Sequence, residues 1–280
     1  MIELIKSFFI GIIQGITEWL PVSSTDHMIL FDEFVKLNVT EAFFEMFLVV
    51  IQFGSILAVV ILYFSKLNPF SPKKSPQMRR DTWSLWFKVI VAVIPSAVIG
   101  LLLDDWFDEH FYNYVVVAIA LIVYGIAFIL IERRRSGKHQ SEEDSVYNIN
   151  YPTAFAIGLF QVLSIIPGTS RSGSTILGAM LLGLSRTAAA EFSFFMAIPT
   201  MLGASGLKIV KYFLDGNAML TGQEWAIMIV GCVTAFVVSI LAIKALMRYV
   251  RNHSFSAFGV YRIILGVLVL GYFAVKTLLL

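Results

Sequence analysis

The chain has 280 residues, of which 58% are hydrophobic and only 14% are charged, and its mean hydropathy is +0.81. A soluble domain carries roughly twice that charged fraction, so the composition excludes an ordinary water-soluble protein. The net charge of +2 is too small to suggest a nucleic-acid partner. The single cysteine, Cys232, excludes an intrachain disulfide and is interpreted as a small packing residue.

The first segment, residues 7–30, is hydrophobic but is interrupted by the stretch LPVSST. The halves on either side are too short to cross a bilayer, so a re-entrant hairpin of two broken helices is expected here. No small-residue cleavage site follows its first apolar run, and the segment is therefore expected to be retained.

Six apolar blocks follow, each about 20 residues or longer, which is enough for a helix to cross a ~30 Å hydrocarbon core. They cover residues 43–64, 84–103, 112–131, 190–211, 225–246 and 256–280. None alternates as a transmembrane β-strand of ~10 residues would. The sequence predicts an all-α polytopic membrane protein that forms a single membrane domain.

The loops of the first half sort by charge. Loops 65–83 and 132–150 are rich in lysine and arginine, whereas loop 104–111 carries only acidic charges apart from one histidine. By the positive-inside rule, the first two loops are cytoplasmic and the third is outside. Residues 31–41 are then outside as well.

The loops of the second half imply another re-entrant segment. Residues 247–255 carry arginines and are expected in the cytoplasm, whereas the acidic loop 212–224 is expected outside. This places loop 178–190 back in the cytoplasm, on the same side as loop 132–150. The segment 153–177 must therefore enter and leave from one side, and its middle, PGTSRSGST, is a poor helix former.

The two hairpins also resemble each other. IGIIQGITEWLPVSST aligns with IGLFQVLSIIPGTSR when one residue is skipped. The matched pairs are Ile10–Ile157, Gly11–Gly158, Gln14–Gln161, Thr17–Ser164, Pro21–Pro167 and Ser24–Ser170. A first repeat (1–131) and a second (151–280), joined by a cytoplasmic linker (132–150), would each hold one hairpin and three spans. Because three is odd, the second repeat is expected to be inverted in the membrane.

Ionisable groups inside apolar segments are costly in lipid and are therefore functional candidates. Away from loops and helix ends they are essentially Glu18, Asp26 and His27 in the first hairpin and Arg171 in the second. Irregular backbone at mid-membrane depth must line a cavity or be buried in protein. The two polar stretches are thus expected to converge on one site, with a purely structural Glu–Arg pair as the alternative.

The second hairpin has the composition of a phosphate cradle. Glycines allow close backbone approach, a helix N-terminus attracts anions, and an arginine fork matches phosphate oxygens. The residues expected to bind phosphate are Gly168, Thr169, Ser170, Arg171, Ser172 and Ser174.

The first hairpin complements this cradle. Gln14 and Glu18 are four residues apart and share one helix face, where their oxygens could hold Mg²⁺ or Ca²⁺ if a diphosphate completed the site. Ser24 and His27 are three apart, which suits a hydroxyl nucleophile beside a base. Cation, arginine, hydroxyl and histidine together indicate phosphoryl transfer.

The stretches QGITEWLPVSSTDH and PGTSRSGST resemble the two signature motifs of the undecaprenyl-diphosphate phosphatase, or bacitracin-resistance, family. The likeness covers essentially the whole chain, including EFSFFMAIPTMLGA. It implies a bacterial inner-membrane enzyme that removes a phosphate from the C55 isoprenoid diphosphate and so recycles the lipid carrier of cell-wall synthesis. It also implies a divalent-cation requirement and a site open to the outer, extracytoplasmic face.

Carried over by position, the resemblance gives each motif residue a role. Arg171 and the loop amides bind the diphosphate, together with Thr25 and Ser170, and Glu18 places the cation with help from Gln14. Ser24 is the nucleophile or orients a water. His27 is the general acid/base, with a nucleophilic His27 as the mechanistic alternative.

The chain departs from the family pattern at Asp26, where SSTDH stands in place of the usual SSTGH. An extra carboxylate here is interpreted as a natural variant, an added metal ligand or an inactivating change.

The polyprenyl diphosphate substrate would hold its tail between helices among the membrane lipids, and a homodimer is a possible assembly. A transporter or flippase of a phosphorylated polyprenyl lipid is the alternative function, because inverted repeats with broken helices are typical of transporters.

Overall fold

In the computed structural model the described residues, 1–111, 113–135, 145–217 and 219–279, form helices joined by short loops. The helices are α1 (Ile2–Thr17), α2 (Ser24–Phe34), α3 (Glu41–Leu62), α4 (Phe64–Leu67), α5 (Pro76–Phe111), α6 (Tyr114–Arg135), α7 (Tyr151–Val162), α8 (Arg171–Leu181), α9 (Arg186–Leu214), α10 (Gly222–Asn252) and α11 (Ser256–Leu279). Short 3₁₀ turns cover Val146–Asn148 and Leu163–Ile165. Six of the helices, α3, α5, α6, α9, α10 and α11, are long and apolar enough to cross a membrane. The prediction of an all-α polytopic membrane protein is confirmed.

Each predicted hairpin consists of two helices separated by a short break. Residues 18–23 separate α1 from α2, and residues 166–170 separate the 3₁₀ turn after α7 from α8. Each break contains a proline, which cannot donate a helical hydrogen bond. Ser23 and Ser170 each precede the second helix and have φ of 70°, and no other non-glycine residue in the described ranges has a positive φ. The two breaks therefore share one backbone design.

This backbone design corrects the alignment of the two hairpins by one residue. The sequence comparison paired Ser24 with Ser170, whereas the shared positive φ pairs Ser23 with Ser170. The offset that relates Gln14 to Gln161 also relates these two serines, so no residue is skipped. The skip arose from matching the prolines, which occupy different places within breaks of similar shape.

The two halves of the chain pack against each other reciprocally. Helix α1 lies along α10, α7 lies along α5, and α6 pairs with α11. The crossings are close because glycines stand at them: a Cβ atom on Gly11 would be 2.7 Å from Cβ of Thr234, and one on Gly158 would be 2.1 Å from the carbonyl oxygen of Ala92. Each hairpin is thus held by the second span of the other half.

Ion pairs join helix ends that are predicted to lie on the same side of the membrane. The predicted cytoplasmic pairs are Lys66–Glu191 and Arg186–Glu132, and the predicted outer pairs are Lys208–Glu45 and Lys276–Glu33. Tyr147, just before α7, donates to the carbonyl oxygen of Lys66, and Met180, at the end of α8, accepts from Arg135. Both ends of the second hairpin therefore lie at the end of the bundle that carries the cytoplasmic pairs. The inverted orientation and the repeat boundaries stay predictions.

Candidate active site

The two hairpins meet at the carboxylate of Glu18, the first residue after α1. The Glu18 side chain is 4% exposed, and its Oε1 accepts a hydrogen bond from Nη2 of Arg171 at 2.8 Å. Its Oε2 accepts from the Ser24 hydroxyl at 2.7 Å and from the Gln14 amide at 3.1 Å. The structure thus brings together four of the predicted site residues around one buried carboxylate.

Arg171 is the first residue of α8 and is held on several sides. Its Nη1 donates to the carbonyl oxygen of Ser193 at 2.9 Å, and its guanidinium carbon lies 5.9 Å from the ring centroid of Trp19. Trp19 in turn packs edge-to-face on Phe194, with ring centroids 5.2 Å apart. The Nε–H of Arg171 is buried without a hydrogen-bond partner in the described part of the chain. A fixed cation with a donor to spare, at a helix N-terminus, is suited to receive a phosphate oxygen.

Ser24 and His27 do not pair with each other as their spacing suggested. The Ser24 hydroxyl donates to Glu18 instead. His27 bonds through Nδ1 to the carbonyl oxygen of Ser23 and through Nε2 to the Tyr261 hydroxyl, both at 2.6 Å. Because a carbonyl oxygen can only accept, Nδ1 carries a proton, and in a neutral ring Nε2 accepts from Tyr261. The hydroxyl–base pair at this site is therefore Ser24–Glu18.

The second break contributes residues that shape the loop. Gly168 has φ of 87°, and a Cβ atom there would be 2.5 Å from the carbonyl oxygen of Val117, so only glycine fits. The Thr169 hydroxyl donates to carbonyl oxygens within its own loop. Ser170 accepts from the backbone N–H of Gly173 and thereby caps α8.

The remaining predicted phosphate ligands differ in exposure. The Ser172 hydroxyl donates to the carbonyl oxygen of Leu20 at 3.0 Å, and the Ser174 hydroxyl lies 3.2 Å from that of Tyr124, with both serines buried. The backbone of Thr25 lies in the first turn of α2, and its side chain is outside the part that the structure describes. Ser170 and Arg171 alone among the described set are partly exposed side chains, so a phosphate meets these two first. The roles stay predictions.

Gln14 and Glu18 fit a hard cation only in part. The Gln14 side chain is fully buried, and its Oε1 has no hydrogen-bond partner among the described residues. An unpaired amide oxygen beside a carboxylate is a suitable start for Mg²⁺ or Ca²⁺ coordination. No group of three or more His, Cys, Asp or Glu side chains is placed to hold a metal in the described ranges. The substrate would have to supply further oxygen ligands.

Arg262 belongs to the site and was missed from the sequence. It is fully buried in α11, where its Nη1 donates to Pro21 O at 3.0 Å and its Nη2 donates to Gly168 O at 2.6 Å and Thr169 O at 3.0 Å. It lies only seven residues into the last apolar block and was taken for a helix-end charge. An arginine inside an apolar block was the available signal. Tyr261 carried no such signal, because tyrosines are common near membrane helix ends.

Asp26 is buried, at 6% exposure, and interacts electrostatically with the Arg262 guanidinium, although the two form no direct ion pair in the described part of the chain. The extra carboxylate is thus offset by a cation other than Arg171.

Comparison with known proteins gives a consistent result. A sequence model of the family described as "Bacitracin resistance protein BacA" matches residues 7–268. A protein of Streptococcus thermophilus (strain ATCC BAA-250 / LMG 18311) is 57% identical over 276 residues, which covers 99% of this chain and 95% of the relative. A protein of Streptococcus pyogenes serotype M5 (strain Manfredo) is 58% identical over 272 residues, 97% of each chain. Both relatives are named undecaprenyl-diphosphatase.

Proposed function

The chain belongs to the family of bacitracin resistance protein BacA, and we propose on this basis that it is an undecaprenyl-diphosphatase. The protein hydrolyses the C55 isoprenoid diphosphate to the monophosphate and phosphate, which recycles the lipid carrier of cell-wall synthesis. The observation that carries this function is the Ser24 hydroxyl 2.7 Å from Glu18, whose other oxygen holds Arg171. A hydroxyl, a base and a fixed cation are the parts that phosphoryl transfer needs.

Ser24 acts as the nucleophile in the mechanism we propose. Its oxygen attacks the terminal phosphorus, while the bond from that phosphorus to the bridging oxygen breaks and lipid monophosphate leaves. The Ser24 proton passes to Glu18 and departs with the leaving phosphate. Water then attacks the phosphoserine, giving one proton to Glu18, and Glu18 returns a proton to the Ser24 oxygen as phosphate is released. His27 is the general acid/base at the outer end of the site, held by Tyr261.

Charge balance supports a divalent cation as part of this reaction. Among the described residues, the buried ionisable groups around the two breaks are two carboxylates, Glu18 and Asp26, and two guanidinium groups, Arg171 and Arg262. Their formal charges cancel when both carboxylates are ionised and His27 is neutral. A diphosphate therefore brings excess negative charge into a buried site of no net charge. Mg²⁺ or Ca²⁺ bound by Glu18 and Gln14 would supply the missing positive charge and polarise the phosphoryl oxygens.

The membrane arrangement supports a site reached from outside. Lys6 in α1 donates to the carbonyl oxygen of Lys36, so the ends of the first hairpin lie together near the outer pair Lys276–Glu33. The reciprocal packing of the halves is what inverted repeats produce. We place the protein in the bacterial inner membrane, with the prenyl tail among the lipids and the diphosphate reaching the breaks from the extracytoplasmic side.

Phosphate release tests the function. Purified protein with Mg²⁺ should release phosphate from undecaprenyl diphosphate, and a chelator should stop the release until the cation is restored. The Asp26→Gly variant, which restores the family pattern, should also be active. If neither protein releases phosphate, and liposomes instead show movement of intact polyprenyl phosphate, the transporter alternative replaces the enzyme.

Cysteine labelling tests the re-entrant second hairpin. In a Cys232→Ala background, single cysteines replace Tyr151 and Leu182, which flank the hairpin, or Met219, in the loop after α9, and all three positions are exposed. A membrane-impermeant maleimide added to intact cells should label Met219→Cys only, and the other two should react after the membrane is opened. Labelling of Tyr151→Cys and Leu182→Cys from opposite sides would refute the hairpin.

A further inference from the structure

Arg262 contacts the carbonyl oxygens of both breaks, from a helix that belongs to neither hairpin. Its three hydrogen bonds go to Pro21 in the first break and to Gly168 and Thr169 in the second. We propose that Arg262 is a positioning residue that clasps the two breaks together, with Asp26 as its counter-charge. This role rests on the proposed function, since the breaks it joins carry Ser24 and Arg171.

The breaks need such a donor. Carbonyl groups that leave a helix at mid-membrane depth have neither helical partners nor water, and leaving them unpaired is costly. A guanidinium has five N–H donors in a fixed plane, so one side chain can serve three carbonyl oxygens on two segments. Lysine carries as much charge but concentrates it on a single nitrogen. The role therefore requires the arginine fork and not merely a cation.

The third residues of α2 and α8 occupy equivalent positions in the two hairpins, and each is related to Arg262. Asp26 is the third residue of α2, and Gly173 is the third residue of α8. A Cβ atom on Gly173 would be 2.9 Å from Nη1 of Arg262, so α8 leaves room for the guanidinium. On the α2 side the equivalent residue is Asp26, whose carboxylate interacts electrostatically with the same guanidinium. The ring of Tyr124 lies 5.3 Å from the guanidinium carbon and covers another side.

Two unpaired atoms in this cluster are complementary. Oδ2 of Asp26 and Nε of Arg262 are both buried without a hydrogen-bond partner in the described part of the chain. One is an acceptor and the other a donor, and the two side chains carry opposite charges. We therefore expect the carboxylate of Asp26 to offset the buried charge of Arg262.

The clasp also orients the catalytic groups. Because Arg262 draws the carbonyl oxygens of Gly168 and Thr169 toward α11, it fixes the backbone that leads directly into Ser170 and Arg171. The contact with Pro21 does the same for the backbone that leads into Ser23 and Ser24. Because Arg262 is fully buried and donates to backbone carbonyl oxygens, the guanidinium that the diphosphate can reach is that of Arg171.

Hydrogen exchange and kinetics together test the clasp. Arg262→Lys should increase deuterium uptake in peptides covering 18–23 and in those covering 166–170, with little change elsewhere in the bundle. Its kcat should fall about 10- to 100-fold at temperatures where it stays folded, while KM changes less, because misplaced groups slow the chemistry. Increased uptake throughout the chain, or in one break only, would show that Arg262 does not join the two.

A double-mutant cycle tests the counter-charge and needs no activity. Asp26→Asn and Arg262→Met should each lower the Tm, and the double variant should lose clearly less than the two losses added, because neither charge is then left alone. The exposed pair Lys208 and Glu45, changed to Met and Gln, should give nearly additive losses. Additive losses at Asp26 and Arg262 would refute the pairing. If Arg262→Met does not fold, the cycle is run with the uncharged Arg262→Gln, which keeps an N–H donor.

These readouts separate the clasp from the proposed function. If Arg262→Lys increases deuterium uptake in both breaks while the unaltered protein releases no phosphate, the clasp is supported and the phosphatase function is rejected. Normal phosphate release with an unchanged kcat in Arg262→Lys would retain the phosphatase and reject the clasp.

Discussion

Replacement of Glu18 by glutamine should lower kcat for phosphate release by about 10²- to 10⁴-fold, the range expected for loss of a general base. The carboxylate accepts from Ser24, holds Arg171 and is the one charged ligand proposed for the cation. An amide of the same shape can accept a hydrogen bond but cannot take a proton or balance a buried guanidinium. Steady-state release from polyprenyl diphosphate, measured on detergent-purified protein, gives the change in kcat.

The matched control for this change is Glu132→Gln. Glu132 is also buried, at 2% exposure against 4% for Glu18, and it also pairs with an arginine, Arg186, but at the predicted cytoplasmic end of the bundle. Its oxygen additionally accepts from the backbone N–H of Phe255. Glu132→Gln should lower the Tm while kcat per folded molecule stays near that of the unaltered protein. Equal losses of kcat in the two variants would show that Glu18 acts on stability alone.

The helical spans were predictable because the signal for them is local. A run of about 20 apolar residues must cross the bilayer whatever the rest of the chain does, and the six spans follow from that requirement. The breaks were predictable for a related reason, since proline and clustered hydroxyl residues disfavour helix at the place where they occur. The structure adds one detail that the sequence does not contain. The last residue of each break, Ser23 or Ser170, has a positive φ.

Side-chain partners were less predictable, because they depend on segments far apart in sequence. Arg262 reaches a carbonyl oxygen 241 residues away, and no local pattern encodes that contact. The expected Ser24–His27 pair failed for a geometric reason. Ser24 opens α2 directly after a left-handed residue, so its hydroxyl points back to Glu18, while His27 reaches back to Ser23 and across to Tyr261.

Arg171→Lys should lower kcat/KM by about 10³-fold, the lower end of what an arginine contributes to phosphoryl transfer. Arg171 uses one Nη for Glu18, the other for Ser193, and keeps Nε–H free for a phosphate oxygen. An ammonium cannot hold the carboxylate, the carbonyl and the substrate in these three directions at once, so the charge is retained and the geometry is lost. The measurement is kcat/KM for polyprenyl diphosphate at several Mg²⁺ concentrations.

The matched control for Arg171→Lys is Arg186→Lys, which shows whether the loss of kcat/KM is specific to the arginine at the site. Arg186 is the first residue of α9 as Arg171 is the first of α8, and each pairs with a buried glutamate, but Arg186 lies at the predicted cytoplasmic end. Helix position, charge and pairing with a buried glutamate are therefore matched, but the partner of Arg186 is Glu132 and not Glu18. The Arg186 variant should keep its kcat/KM within a few-fold of the unaltered protein. If both variants lose kcat/KM alike, the loss reflects helix-end ion pairs, and the assignment of phosphate binding to Arg171 is wrong.

The opposite outcome supports that assignment. If only Arg171→Lys lowers kcat/KM, and a higher Mg²⁺ concentration does not restore the value, the second break binds the diphosphate through the planar guanidinium of Arg171 and not through net charge.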